Sequence, residues 1–592
     1  MAFVKGIHVD RKDYRVTGEL FARIWRLTKP YWVRKEHWRS WIVMLTLLVM
    51  APGWTFIYAY MASVAADLTN AIVARDAAKY QDLFIYTTLL GVAVWAVQTV
   101  MQYFDSRLDI HWRQWLTDWL VSRYLARKTY YDIALAEDLD NPDQRIHEDV
   151  SPVTSTMSNM PRRVLGQVTG FFVGAAIIAS ISPEIVWFVI GYAVLQAVVT
   201  LWLYTPTIKL NFDSTVAEAD LRYGILHVRD HAETIAFYRG EPAEHEQVRV
   251  RLATAVRTKL ALLIYNMKMS GVSQALGMLW TAMPFFLITP LYFKGKIEYG
   301  AIAQAGMAAQ MMLQAISTLS EFIPTVTGMA PRAVRLAQIL ERFDKMDAAY
   351  DDPTIPRITV AEGPCIKMEK LTLLTPGGEQ CVVKDLDLTV RPGEHLVIVG
   401  QTGVGKSSLL RAMAGLWRRG SGKLVMPNVA DCLFLPQRPY MILSDLRSQL
   451  LYPREHENNR LNDEQFQDVL ERVRLPHLLE KHGGLDAVRD WAKVLSLGEQ
   501  QRIGFARALI MKPDYVFLDE STSAVDLATE EHLYRALREI GCTFVSVGHR
   551  ESILKHHVNG LRLHPGGTWD VVTAASVMST IPVTRQPEAI RA

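Results

Sequence analysis

The sequence has few cysteines and almost no excess charge. Four cysteines occur in 592 residues, at positions 365, 381, 432 and 542, and none stands at C-x-x-C or metal-ligand spacing. This excludes a disulfide framework and predicts reduced, buried thiols. The formal net charge is +3, so we expect no nucleic-acid partner. We also expect no cleavable signal, because the charged beginning of the chain is too long for a signal peptide's first region.

Charged residues are scarce in six long apolar runs within the first 330 or so residues. The runs cover residues 41–60, 83–104, 164–181, 185–204, 261–291 and 301–323. A bilayer core needs about 20 apolar residues per helix, and each run supplies nearly that number. One such run could be a buried helix of a soluble protein, but six predict a membrane domain with six transmembrane helices and lipid around it.

The positions of the charges predict the topology of that membrane domain. Lys and Arg are frequent before the first apolar run, so the N-terminus is predicted to be cytoplasmic. Six spans return the chain to the same side. The charged segments 105–163 and 206–259 separate apolar runs and are predicted to be cytoplasmic extensions of long helices. We assign residues 1–345 to this transmembrane domain.

The remainder of the chain has a different character. Residues 346–360 contain Pro353 and Pro356 and are predicted to be a linker. Short β-type runs then alternate with helical stretches over residues 361–570, which predicts an α/β domain with a largely parallel sheet. Residues 571–592 are assigned to a C-terminal tail.

The stretch GQTGVGKS follows a β-type run and has the pattern G-x-x-x-x-G-K-S of a P-loop. Its glycines let backbone amides converge on phosphate oxygens, the lysine reaches the β- and γ-phosphates, and the serine hydroxyl is a Mg²⁺ ligand. The predicted nucleotide-binding residues are Gly400, Gln401, Thr402, Gly403, Val404, Gly405, Lys406, Ser407 and Ser408.

Two acidic residues end the apolar run YVFLDE at residues 515–520. Asp519 is a predicted Mg²⁺ ligand together with Ser407. Glu520 is predicted to be the general base that polarises the attacking water. Alone, two carboxylates at a strand end are more often solvated surface groups, but the P-loop in the same domain favours the catalytic interpretation.

The stretch LSLGEQQR at residues 495–502 contains S-x-x-E, a capping box that predicts the start of a helix. A capped helix N-terminus with free amides is also an anion site. Ser496, Gly498 and Glu499 are therefore predicted nucleotide-binding residues, with Ser496 and the amide of Gly498 meeting a γ-phosphate.

Taken in order, these motifs resemble the ATP-binding cassette family. Within this resemblance LSLGEQQR matches the signature, Gln437 in FLPQRPY matches the Q-loop glutamine, and Ser523-Ala524-Val525-Asp526 matches the D-loop. His549 in SVGHR matches the switch histidine. The resemblance implies ATP and Mg²⁺ as cofactors, catalytic roles for Gln437 and His549, a metal contact for Gln437 and a nucleotide contact for Asp526.

The stretch LTLLTPGGE departs from the family, because it has no aromatic residue where one often stacks on adenine. One membrane domain and one cassette make half of the family's usual assembly. In the family each ATP is enclosed between the P-loop of one cassette and the signature of another, so the resemblance implies a homodimer of two half-transporters with exporter-type architecture.

The membrane part resembles a narrower group. The stretches at residues 111–150 and 218–241 are similar to those of bacterial SbmA/BacA-related peptide transporters with fused cassettes, and of peroxisomal fatty-acyl-CoA half-transporters. The first resemblance implies uptake of bulky hydrophilic solutes, such as antimicrobial or bleomycin-like peptides or cobalamin, across a bacterial inner membrane. Alternatives are transport of fatty acid or acyl-CoA, export of a drug or lipid, and a regulatory ATPase without transport.

A polar stripe in the sixth apolar run bears on the transported solute. Gln304, Met311, Gln314 and Glu321 recur at helical spacing and share a face, together with Met307 and Thr318. Amides and an acid are costly against lipid, so these residues line either a solute cavity or a contact between helices. We take the four named first as candidate cavity-lining residues.

Overall fold

The structure is a computed structural model that describes residues 18–136, 139, 141–454, 461–548 and 550–573. Of the sequence predictions, His549 and nearly all of the predicted tail lie outside the described residues. The chain divides into two units, Met1–Ala348 and Ala349–Ala592. Among the described residues, the first unit contains only helices, and the second is an α/β domain.

Helices of the first unit are long, as their apolar and amphipathic sequences require. They are α1 (Gly18–Val33), α2 (Trp38–Val73), α3 (Ala77–Leu125), α4 (Thr129–Ala136), α5 (Pro142–Gln144), α6 (Val150–Ile181), α7 (Pro183–Asp230), α8 (Ala232–Tyr238), α9 (Glu241–Phe293) and α10 (Tyr299–Asp351). Short 3-10 turns at Lys35–His37 and Ala126–Lys128 and a π-helical turn at Arg145–Asp149 connect some of them.

Five helical segments of the described residues are long and apolar enough to cross a membrane: Lys35–Val73, Ala77–Ala136, Pro142–Ile181, Pro183–Asp230 and Glu241–Phe293. The sixth predicted span lies within α10, which is 53 residues long. Three glutamines, Gln304, Gln310 and Gln314, make this part of α10 less apolar than the other spans. The helical membrane domain is therefore confirmed, and the count of six spans stays a prediction.

Two ion pairs, each with a buried aspartate and a partly exposed arginine, connect helices of the first unit. Asp105 on α3 lies 2.6 Å from Arg162 on α6. Asp149, only 3% exposed, lies 3.2 Å from Arg335 on α10. The burial of Asp149 indicates a structural role, because removing Arg335 would leave a buried carboxylate without this ion-pair partner.

The second unit has ten strands: β1 (Thr359–Glu362), β2 (Ile366–Leu374), β3 (Cys381–Val390), β4 (Leu396–Gly400), β5 (Gly420–Met426), β6 (Cys432–Leu435), β7 (Tyr515–Asp519), β8 (Thr543–Val547), β9 (Asn559–Leu563) and β10 (Trp569–Thr573). Its helices are α11 (Lys406–Met413), α12 (Leu446–Leu451), α13 (Asp463–Arg472), α14 (His477–His482), α15 (Trp491–Val494), α16 (Leu497–Met511), α17 (Leu527–Glu539) and α18 (Glu551–Leu554), with a 3-10 turn at Val429–Asp431.

Two sheets form in this unit, not one. The six-stranded sheet has the order β10-β9-β4-β8-β7-β6 and is parallel except for the β10–β9 pair. Its central strands are buried on both faces, which explains their continuous apolar sequences. The second sheet, β1-β5-β2-β3, is mainly antiparallel. Sequence alternation predicted the parallel sheet but not this second one.

The four cysteines are free thiols. Cys432 and Cys542 are buried as predicted, but Cys381 is exposed and Cys365 is half-buried. The prediction of uniformly buried thiols is therefore wrong for these two. Both lie on or beside strands of the smaller sheet, which the sequence did not predict.

Candidate nucleotide site

The P-loop joins β4 to α11 at the carboxyl end of the parallel sheet. Gly405 is the residue before α11 and has φ +107°, a backbone conformation that side chains with a Cβ rarely adopt. A Cβ there would also lie 2.3 Å from Cγ1 of Val382. The glycine therefore lets the loop turn tightly into the helix N-terminus, where amides and the helix dipole favour phosphate.

Lys406 is folded into the P-loop. It is 6% exposed, and its Nζ donates to the carbonyl oxygens of Gly400 at 3.0 Å and Gln401 at 2.9 Å. Burial lowers the pKa of this ammonium, and the nearby carboxylates of Glu520 and Asp519 oppose the shift. The structure thus brings the predicted lysine together with both predicted acids.

Ser407 and Asp519 are also adjacent. The Ser407 hydroxyl donates to Oδ1 of Asp519 at 2.9 Å. Burial raises the pKa of Asp519, while the bond from Ser407 acts in the opposite direction. A hydroxyl and a carboxylate side by side are the oxygen donors that Mg²⁺ prefers.

A magnesium ion at this position would need further oxygens. Among the residues that the structure describes, no group of three or more His, Cys, Asp or Glu side chains could hold a metal ion. Mg²⁺ commonly binds through one or two protein ligands, substrate phosphates and waters. The residues present therefore fit a magnesium ion that arrives with a nucleotide.

Glu520 lies just after β7 in an unusual backbone conformation. Its φ is +48°, which is uncommon for a residue that is not glycine. Its Oε2 accepts a hydrogen bond from Nε2 of Gln437 at 3.2 Å. The predicted base and the predicted Q-loop glutamine are therefore in direct contact, although 83 residues separate them in the chain.

The signature stretch starts α16 as the capping box predicted. Ser496 is the N-cap and Glu499 completes the box. Oε2 of Glu499 accepts from both the amide and the hydroxyl of Ser496 at 2.8 Å, and His477 lies 3.1 Å from Oε1. Burial would raise the pKa of Glu499, but the bonds from His477 and Ser496 outweigh it and lower the pKa to about 2.

Leu497 and Gly498 have different structural requirements. Leu497 is the first residue of α16, a conformation open to any L-residue, so a glycine is not needed there. At Gly498 a Cβ would lie 2.7 Å from the carbonyl oxygen of Ala524 in the D-loop. The signature helix and the D-loop are therefore in backbone contact, which the sequence motif alone does not show.

Hydrogen bonds from Arg550 and within the start of α17 fix the conformation of the D-loop. Oδ1 of Asp526 accepts from the amide of Thr529 at 2.9 Å and caps α17. Arg550 donates to the carbonyl oxygens of Ser523 at 2.6 Å, Val525 at 3.2 Å and Thr522 at 3.3 Å. Sequence reasoning missed Arg550, whose only signal is its place next to His549.

Gln501 is a second residue that sequence reasoning missed. It is 1% exposed and lies in the second turn of α16. Its side chain contacts the backbone of Gln437 and of Ala524 and the hydroxyl of Ser523. A buried glutamine cannot be distinguished from an exposed one by local sequence, so only the fold reveals these contacts.

The candidate cavity-lining residues of α10 differ in exposure, and their role stays a prediction. Met311 is 8% exposed, Gln304 is half-buried and Gln314 is exposed, and the side chain of Glu321 lies outside the description. A separate depression of about 640 Å³ lies between α9 and α10. It is lined by Gln274, Gly277, Met278, Thr281, Ala282, Phe285, Gln310 and Leu313.

Comparison with known proteins agrees with both units. The family profile "ABC transporter transmembrane region 2" matches residues 27–293, and the profile "ABC transporter" matches residues 383–523. An uncharacterised ABC transporter ATP-binding protein of Synechocystis sp. is 38% identical over 91% of this chain and 82% of its own length.

Two eukaryotic relatives are also similar over nearly the whole chain. ABC transporter D family member 2, chloroplastic, of Arabidopsis thaliana is 30% identical over 91% of this chain and 85% of its own length. The lysosomal cobalamin transporter ABCD4 of Homo sapiens is 28% identical over 93% of this chain and 95% of its own length.

A P-loop domain fused to a helical membrane domain defines the class: a membrane transporter that binds and hydrolyses ATP. The chain belongs to the ABC transporter family, and it has the half-transporter arrangement of one membrane region followed by one cassette.

Proposed function

We propose that this chain forms a homodimer in a bacterial inner membrane and uses ATP to import bulky hydrophilic solutes, such as peptides or cobalamin. The observation that carries the substrate class is a set of three polar side chains in the otherwise mainly apolar depression between α9 and α10. Gln274 and Thr281 lie on α9, which is apolar enough to cross a membrane, and Gln310 lies on α10; all three line this depression. Amide and hydroxyl groups in a membrane segment are costly against lipid and instead face water, a polar solute or another protein group. Gln274 and Thr281 also bond to Ser270 and Gly277 within α9, and we propose that their remaining polar surface meets the solute.

The proposed hydrolysis assigns a task to each contact in the cassette. Lys406 exchanges the carbonyls of Gly400 and Gln401 for the β- and γ-phosphates. Ser407 and Asp519 would hold Mg²⁺, which supplies charge neutralisation at the phosphate oxygens. Glu520, positioned by Gln437, accepts a proton from the attacking water. His549 is proposed to contact the γ-phosphate.

The homodimer follows from the number of parts in one chain. A single copy has one P-loop and one signature, so two copies related by a two-fold axis would complete two equal sites. We propose that Ser496, Gly498 and Glu499 serve the ATP held by the P-loop of the partner subunit, with Asp526 at the same boundary.

Helix α8 supports such an assembly from the membrane unit. It connects the long helices α7 and α9, none of its residues is buried, and Phe237 and Tyr238 are 80% and 83% exposed. Aromatic side chains this exposed at a cytoplasmic helix turn are typical of a contact surface. We propose that α8 is a contact surface of the assembled transporter.

The relatives limit the choice of solute without fixing it. A relative named as a cobalamin transporter supports cobalamin within the proposed class. The SbmA/BacA-like stretches at residues 111–150 and 218–241 support peptides and the inward direction. Acyl-CoA transport, drug or lipid export and a non-transporting ATPase are the other outcomes of the test.

The test is transport in proteoliposomes whose cassettes face outward, loaded with labelled cobalamin, a labelled cationic peptide or labelled acyl-CoA. We expect ATP to drive the first or second solute out of the lumen towards the cassettes, and Glu520→Gln to abolish this flux. Gln310→Leu should lower the flux while ATP binding persists. Flux of acyl-CoA alone, or ATP hydrolysis without flux of any of them, would refute the proposed substrate class.

A further inference from the structure

One buried carboxamide connects two loops around the candidate nucleotide site. Nε2 of Gln501 donates to the carbonyl oxygen of Gln437 at 2.9 Å and to Oγ of Ser523 at 3.1 Å. It also lies 3.5 Å from the carbonyl oxygen of Glu520. Oε1 accepts from the amide of Ala524 at 3.0 Å.

The four groups belong to two segments of the chain. Gln437 follows β6, Glu520 follows β7, and Ser523 and Ala524 form the D-loop before α17. A carboxamide carries both donors and an acceptor, so it can satisfy carbonyls and an amide at once. No other side chain of this length carries both a hydrogen-bond donor and an acceptor without a charge. Glutamine is therefore the residue type that this position requires.

Glu520 needs such support because its backbone is strained. A non-glycine residue at φ +48° persists only where the surroundings fix it. Its amide donates to Val547 at 3.1 Å, and its carbonyl oxygen accepts from the amide of Ser523 at 3.0 Å. Gln501 binds the hydroxyl of that same Ser523 and approaches the same carbonyl.

We propose that Gln501 is a positioning residue for ATP hydrolysis, which fixes Glu520, the Q-loop and the D-loop relative to one another. This inference rests on the proposed role of Glu520 as the base. Gln501 does not itself reach the phosphates; it acts through the backbone that carries Glu520 and Gln437.

The position of Gln501 on α16 adds a second consequence. Ser496, the N-cap, and Gln501 are five residues apart, about 8 Å along a helix with a rise of 1.5 Å per residue. The N-terminal end of this helical segment carries the signature, which is proposed to meet the ATP of the partner subunit. Gln501, about one turn later, holds the loops of the chain's own nucleotide site. A shift of α16 on closure of the dimer would move Glu520 at the same time.

The experiment measures ATP hydrolysis by the full chain in nanodiscs for wild type, Gln501→Met and Gln501→Glu. Met keeps the length and loses the hydrogen bonds, and Glu keeps the acceptor but faces carbonyl oxygens with a negative charge. We expect kcat to fall about ten-fold for Gln501→Met and further for Gln501→Glu, with KM for MgATP within about two-fold of wild type.

A matched control is Gln449→Glu. Gln449 is equally buried, but its side chain bonds the backbone of Ile442 and not the candidate site. Gln449→Glu should lower thermal stability while the folded fraction keeps a kcat within about two-fold of wild type. If Gln501→Glu and Gln449→Glu lost kcat equally, the loss would come from burying a charge, and the proposal would be overturned.

A double mutant tests whether Gln501 acts through Glu520. In single-turnover hydrolysis, Gln501→Met should add less than two-fold to the loss caused by Glu520→Gln, because residues that act as a unit are not additive. Additive losses, or a wild-type kcat in Gln501→Met, would overturn the inference while the proposed function stands. A wild-type protein that binds but never hydrolyses ATP would overturn both.

Discussion

Gly498 offers the sharpest test of the contact between the signature helix and the D-loop. Replacing it with alanine adds a Cβ 2.7 Å from the carbonyl oxygen of Ala524. Ordinary van der Waals separation begins near 3.4 Å, so the two segments must move apart by about 0.7 Å. The neighbour is backbone and not a flexible side-chain end, and the adjustment must therefore displace α16 or the D-loop.

The expected cost follows from this displacement. Overpacking by one methyl group against backbone costs about 1–3 kcal/mol, and a misplacement near 1 Å at a catalytic arrangement can lower a rate about 100-fold. We expect Gly498→Ala to reduce ATP hydrolysis between about 10-fold and 100-fold while ATP still binds the chain's own P-loop. The assays are steady-state hydrolysis in nanodiscs and photolabelling with an azido-ATP without magnesium.

The control lies on the same helix. At Gly504 a Cβ would meet Cδ2 of Leu435 at 3.5 Å and Cγ of Pro439 at 3.7 Å, which are ordinary contacts. Alanine is also favoured over glycine in a helix interior by about 1 kcal/mol. Gly504→Ala should therefore retain activity and stability. Wild-type hydrolysis in Gly498→Ala, or equal damage in both variants, would refute the reasoning.

Three further predictions concern the same site. Glu520→Gln should bind ATP, lower hydrolysis by at least about 100-fold and accumulate closed dimers detectable by cross-linking; near-normal turnover would exclude Glu520 as the base. Lys406→Ala should lose ATP binding, whereas Ser496→Arg should still bind ATP at its P-loop but lose hydrolysis. Photolabelling with azido-ATP distinguishes the two variants. Labelled Lys406→Ala together with unlabelled Ser496→Arg would contradict both assignments. Because the pKa of Glu499 is lowered from 4.5 to about 2, its stabilisation is complete above about pH 4.5 and is lost as the pH falls towards 2. Thermal unfolding of Glu499→Gln against wild type should show a difference at pH 7 that narrows below pH 4.5, and a difference independent of pH would refute the ionic contribution.

The sequence by itself determined the two kinds of domain and most of the motif positions. Long uncharged runs predicted spanning helices because lipid cannot satisfy charges. GQTGVGKS and YVFLDE predicted their loop and strand end because glycine spacing and apolar runs act locally. The capping box at Ser496 and Glu499 was likewise predictable, since it closes within one helical turn.

Only the tertiary structure decided how these pieces meet. The mainly antiparallel sheet β1-β5-β2-β3 places β5, which follows α11 in the chain, between β1 and β2, so no local pattern encodes its strand order. The contact of Gly498 with Ala524 and the bonds of Gln501 to Gln437 and the D-loop span 22 to 64 residues. Local sequence specifies the apolar periodicity, the caps and the turns of each helix or strand. A buried polar group, by contrast, acquires its hydrogen-bond partners only when the chain packs. For that reason the sequence predicted the motifs, but it did not predict the hydrogen bonds of Gln501 that connect them.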